Sequence, residues 1–250
     1  MARALAVLAV VAVTVVAASW AVASDAQRAV EAFLAQISGA SVTDLTARQT
    51  VTLFHPDGRH PQSSGEQRLF IKLPRRQRLE QTIEGQQEVR LTVGDRVWVR
   101  RPDGTVQEAP AGERERTYLF TTFHRSATDL LAEWKSFGVR DDVTHAVRVQ
   151  GRPVTVIGAG PGDRTSPAVW LDSEYGVVRV VTHDRLPQGR ALVDLSLADH
   201  RPLGGGFYYP YRQELFADGK LLLRITVQSI ALNTNLGDDL FDPETLRRAR

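Results

Sequence analysis

The 250-residue sequence has no cysteine and one methionine. Disulfides, thiolate metal sites, iron–sulfur clusters, cysteine nucleophiles and a lipid-modified cysteine are therefore excluded. A chain of this length buries roughly 70% of the surface its unfolded form exposes, so it can fold without such staples. Lysine is scarce, found only at Lys72, Lys135 and Lys220. Neither sign of charge dominates: 31 basic residues face 29 acidic ones, for a net charge of +2. The pairs Arg75–Arg76 and Arg247–Arg248 do not amount to a nucleic-acid footprint in that balance. Beyond the N-terminal segment no apolar run approaches the ~18 residues of a membrane-spanning helix.

Catalytic signatures are missing as well. The six histidines, His55, His60, His124, His145, His183 and His200, show no H-E-x-x-H spacing. There is no G-x-S-x-G nucleophile elbow. Gly158–Asp163 is glycine-rich, but Asp163 stands where a dinucleotide loop needs its last glycine, and it reads as a hairpin tip. Asp141–Asp142 and Asp238–Asp239 are adjacent, and neighbours on a strand point to opposite faces, so neither pair is suited to acid–base work. The sequence names no catalytic residue, no metal ligand and no cofactor, which predicts a protein that is not an enzyme.

What is present begins with an export pattern. Met1–Ala2–Arg3 is a short basic start, Ala4–Ala18 is an uncharged Ala/Val/Leu run, and Ala21–Val22–Ala23 is a small-x-small site. This predicts a signal peptide over 1–23, cleaved after Ala23, and delivery to the periplasm. Ser24–Asp25 then caps a helix whose Ala26, Ala29, Val30, Phe33, Leu34 and Ile37 form one apolar stripe up to Gly39.

From Gly39 onward the period changes to two. Val51 and Leu53, then Leu69, Ile71 and Leu73, then Val89, Leu91 and Val93, alternate with polar residues. Turn signals near Gly58, Gly85, Gly94 and Gly104 come at the spacing of an antiparallel meander. Thr128–Asp129 is a candidate cap for a second helix carrying Leu130, Leu131, Trp134 and Phe137. Strands then resume and end on Leu221–Ile230. The reading is mainly β with few helices (α+β), one domain over 24–250, and about ten or eleven strands, each with one apolar face. A sheet this wide must curl into a barrel or wrap around something. Two helices cover only part of its apolar face, which leaves room for an apolar ligand.

The C-terminal third carries a family resemblance. Tyr209–Phe216, Asp218–Lys220, Ile225–Ile230, Leu232–Asn233 and Leu240–Pro243 occur in order. Upstream stand Leu73–Pro74 with Arg78, Gly85 and Val97–Val99, and Trp170–Asp172 before Gly176–Arg179. Together these residues resemble the outer-membrane lipoprotein carrier family (LolA/LolB-like). The resemblance implies a single half-open antiparallel β-barrel with helices as a lid over a hydrophobic hollow for acyl chains. It implies a monomeric periplasmic carrier of an acylated lipoprotein or other lipid. Its partners would be an inner-membrane transporter and an outer-membrane acceptor. The alternative is a sensor module of the same fold that binds an envelope protein or lipid signal. The wall of the hollow is expected at Leu69, Ile71, Leu91, Val97, Val99, Leu223 and Ile225, and the lid at Leu130, Leu131 and Trp134.

Overall fold

The computed structural model describes residues 24–111, 123, 125–186 and 189–248. The expected export segment lies outside the described residues. Helix α1 spans Asp25–Gln36, with the Ser24 hydroxyl accepting from the Gln27 N–H at 3.1 Å. Six strands follow: β1 Asp44–Phe54, β2 Pro61–Lys72, β3 Arg76–Ile83, β4 Gln86–Val93, β5 Arg96–Arg100 and β6 Val106–Pro110. Helix α2, Ala127–Ser136, leads into β7 Thr144–Val149, β8 Arg152–Ile157, β9 Ala168–Asp172 and β10 Gly176–Leu186. The set closes with β11 Gly189–Gly204, β12 Phe207–Ala217, β13 Lys220–Leu232, a 3-10 turn at Asp238–Phe241 and helix α3, Pro243–Arg248.

All thirteen strands form one antiparallel sheet in the order β6-β5-β4-β3-β2-β1-β13-β12-β11-β10-β9-β8-β7. Two meanders are thus joined where the first strand meets the last. Strands β6 and β7 are left as edges, so the barrel is open. The architecture is the expected one, but with more strands. The hairpin of β11 and β12 is long, and its strands pair as far as Gly204 and Phe207. The cap of α2 also moves two residues upstream. The Ser126 hydroxyl accepts from the Asp129 N–H, and the Asp129 carboxylate accepts from the Ser126 N–H. Asp129 is therefore the third residue of a capping box rather than part of the cap itself.

Helices α1 and α2 lie on one face, called here the inner face. Val30 and Phe33 of α1 and Leu130, Leu131 and Trp134 of α2 share a core with Leu45, Ala47, Ile71, Ile157, Leu171 and Tyr209 of the sheet. Glycine is needed where the chain passes closest to α1. A Cβ on Gly176 would stand 2.6 Å from the Phe33 ring, and one on Gly206 would stand 2.2 Å from the Gln36 carbonyl oxygen. Both positions also have positive φ, where a side chain strains the backbone.

The other, outer face is covered at one end by the C-terminal tail. After β13 the chain crosses Asp44, whose carboxylate accepts from the Thr234 N–H (2.6 Å), the Thr234 hydroxyl (2.8 Å) and the Asn235 N–H (3.0 Å). Burial pushes this carboxyl's pKa up, but those bonds outweigh it and hold the pKa below the usual carboxylate range. Lys72 then donates to the Leu236 carbonyl (2.7 Å) and, with Arg76, to Asp238. The tail lays Leu236, Leu240, Phe241 and Leu246 over Val89, Leu91, Phe70 and Trp98.

At the other end of the outer face, Asp172 is buried and accepts from Arg152 twice (2.7 and 3.0 Å) and from the Glu174 and Tyr175 N–H groups. Arg152 lies 3.8 Å from the centre of the Tyr175 ring, which stacks on His200 at 4.8 Å. Among the described residues, the buried His200 Nε2 has no hydrogen-bond partner. Burial, reinforced by Arg152, lowers its pKa to about 4, against the pull of Asp172 and Asp199.

Two outcomes follow. Asp44→Ala leaves three donors without their acceptor and should cost about 2–4 kcal/mol. Hydrogen exchange should then speed up over 234–248 and remain slow in α1; an unaffected tail would contradict the latch. His200 is neutral when folded and gains a proton more readily when unfolded. Its penalty is absent above pH 6.5 and grows as pH falls toward about 4. Thermal melts from pH 7 to pH 5 should show wild-type stability falling more steeply than that of His200→Gln. Equal slopes would contradict this.

Candidate functional site

Residues directly opposed across an antiparallel ladder share a face, so the strand registers fix what the inner face presents. The rows under the helices are apolar through Leu232, Leu45 and Ile71, and through Ile230, Ala47, Leu69 and Leu79. Beyond them runs a polar row, Gln49, Gln67, Gln81 and Glu88. Next come Gln213, Ile225, Val51, Gly65 and Ile83. Past these, and next to the buried cluster of Leu186, Ala191, Val193 and Ala217 against which Leu215 packs, comes a row of one leucine from each of four adjacent strands, Leu195, Leu215, Leu223 and Leu53. All four are only half-buried.

Six of the seven residues expected to line the hollow fall on this face, in three places. Leu69 and Ile71 pack into the core beneath the helices. Val97 and Val99 oppose Thr92 and Arg90 on β4, near the β6 edge. Leu223 and Ile225 lie half-buried in the outlying rows. The seventh, Leu91, is a correction: it opposes Arg78 and Trp98 on the outer face and is fully buried under the tail. Strand β4 directs its apolar residues outward because the tail, and not solvent, covers that side. The expected lid residues Leu130, Leu131 and Trp134 are buried in the shared core.

The polar row was not foreseen. The Gln49 Nε2 donates to the Gln67 Oε1 (2.9 Å), the Gln67 Nε2 to the Gln81 Oε1 (3.0 Å), and the Gln81 Nε2 to Glu88 (3.2 Å). A sequence signal existed: Gln49, Gln67 and Gln81 each occupy the apolar phase of their strand, beside Val51, Leu69 and Leu79. Only the strand register shows that the three amides are neighbours.

A hollow of ≈ 390 Å³ lies on the outer face over β8–β12, between Arg152, Trp170, Arg179, His200 and Arg212. Its groups are largely engaged with one another. Arg179 is paired with Asp194 and lies over Trp170, Arg152 is paired with Asp172 and Glu174, and Tyr175 is held between Arg152 and His200. A smaller hollow of ≈ 240 Å³ lies between α1 and β8–β9, lined by Ala29, Ala32, Thr155 and Leu171. Among the described residues no group of three His, Asp or Glu side chains is placed to hold a metal ion. None of the described helices is long and apolar enough to cross a membrane.

In sequence, no protein-family model and no curated protein matches the chain. Solved structures do match in fold. A Vibrio parahaemolyticus domain named for outer-membrane lipoprotein sorting superposes with a TM-score of 0.59 at 17% identity, covering 90% of this chain and 100% of that one. A DUF1329 family protein from Desulfovibrio piger gives 0.59 at 11% identity with the same coverage. A LolA superfamily protein from Nitrosomonas europaea gives 0.56 at 12% identity, again over 90% and 100% of the two chains. At these identities the likeness concerns fold, and function has to be argued from the site. Among the described residues, thirteen antiparallel strands in an open sheet with α1 and α2 on one face give this chain the LolA-like fold.

Proposed function

We propose that the chain is a non-enzymatic carrier that takes up the acyl chains of a lipoprotein or another lipid on its inner face. The observation that supports this most is the row Leu195–Leu215–Leu223–Leu53, which the helices leave half-buried. A carrier needs an apolar floor that its own core does not fill, because each methylene an acyl chain buries contributes about 0.8 kcal/mol. In this reading 24–250 is one domain, acting in the periplasm after cleavage behind Ala23. Helices α1 and α2 form the lid, with Leu130, Leu131 and Trp134 as its inner surface. An inner-membrane transporter loads the carrier and an outer-membrane acceptor unloads it. The lipoprotein-sorting name of one fold neighbour is consistent with this role.

Two substitutions on opposite faces test the reading. Leu223→Asp places a carboxylate on the inner floor, where an acyl chain would strip it of water at high cost. The variant should fold cooperatively and bind a fluorescent fatty acid at least tenfold more weakly. Leu91→Ala empties a packed site on the other face and should cost about 2–5 kcal/mol of stability, with binding unchanged in the folded protein. Wild-type protein that binds neither fatty acid nor lipopeptide, or equal loss of binding in both variants, would contradict the assignment.

A further inference from the structure

The glutamine row has a fixed direction. The Glu88 carboxylate can only accept, so Gln81 must present its NH₂ to it. That leaves the Gln81 carbonyl to accept from Gln67, and the Gln67 carbonyl to accept from Gln49. Each bond polarises the next, and the last group in the chain, the Gln49 Oε1, is left as an acceptor. Among the described residues it has no partner, although Gln49 is only 4% exposed. It lies beside Val227, at the seam between the two meanders. Two further polar atoms on the same face, the acceptor Gln77 Oε1 and the Thr92 hydroxyl, are also buried without partners among the described residues, from directly opposed residues that are 8% and 5% exposed. Native proteins rarely bury such groups unpaired, because each one forfeits its hydrogen bonds to water.

We propose that the inner face selects amphiphiles that carry an N–H donor at the head of the acyl chain, and that the Gln49 Oε1 accepts that donor. The ligand class is an amide-linked acyl chain. The hydrocarbon runs over the leucine row, and the amide stops at the glutamine row. Gln67, Gln81 and Glu88 are positioning residues that fix which end of the Gln49 amide meets the ligand. The Gln49 oxygen is closed to water, so the donor reaches it together with an apolar chain that displaces the cover and not from bulk solvent. The proposal rests on the acyl-binding reading above and adds a requirement on the head group.

The test compares N-methyl oleamide, which has one N–H, with N,N-dimethyl oleamide, which has none. Each displaces a fluorescent fatty acid from the full-length protein. Wild type should prefer the secondary amide about tenfold more than Gln49→Leu does, the size of one well-formed hydrogen bond. Glu88→Gln gives a second reading that leaves Gln49 in place. Its new amide can donate as well as accept, so the row can reverse and present the Gln49 NH₂ instead. The preference should then fall to about parity while fatty-acid binding persists. If both amides bind with the same ratio in wild type and variants, the donor requirement is overturned and the acyl-binding reading stands. If wild type binds neither amide nor fatty acid, both are overturned.

Discussion

The pairing of β1 with β13 is the constraint on which the rest of the structure depends. Residues 44–54 and 223–232 are far apart in sequence, and their ladder turns two separate meanders into one sheet. Closing so long a loop carries a large entropic cost, which buried contacts must offset. The seam is accordingly dense in them. Leu45 and Ala47 are fully buried, Asp44 accepts the turn that follows β13, and Asn233 bonds to Thr43 and to the Ser41 carbonyl. The ladder shifts register between Arg48 and Gln49, next to the head of the glutamine row. The seam therefore also places the one acceptor of that row that is left unpaired.

The two faces of the sheet then divide the work. The outer face is closed by the protein's own chain, with the tail over β3–β5 and an ion-pair and aromatic network over β8–β12. The inner face is closed under the helices, and closely packed residues continue beyond them at Gln49, Gln67 and Val51 and again at Val193 and Ala217, with the four leucines between left half-buried. A half-buried apolar strip of this kind is what the proposed carrier function requires. The hollow on the outer face is larger than the one beside α1, but its arginines and rings largely satisfy each other, which makes it a stabilising network rather than a lipid site.

Much of this was legible in the sequence. The stripe Ala26, Val30, Phe33 and Ile37 is buried as its spacing indicates, because a helix buries one face whatever it packs against. Alternation located most strands for the same reason. It did not fix which face is inner, because that depends on neighbours remote in sequence. Leu91 was misplaced because a segment some 150 residues later covers the face that should have been wet. Strand β6 carries little sequence signal because it is a largely exposed edge with little apolar alternation. The glutamine row needed the registers of three strand pairs, which no periodicity within a single strand encodes.

In the proposed carrier an acyl chain lies on the inner face beyond the helices. Methyl NMR of leucine-labelled protein with a spin-labelled fatty acid tests it most directly, because paramagnetic broadening reports which side chains the hydrocarbon approaches. Broadening is expected at Leu53, Leu195, Leu215 and Leu223, with the Leu91 methyls on the opposite face remaining sharp. Broadening centred on the outer face, or none at saturating ligand, would contradict it.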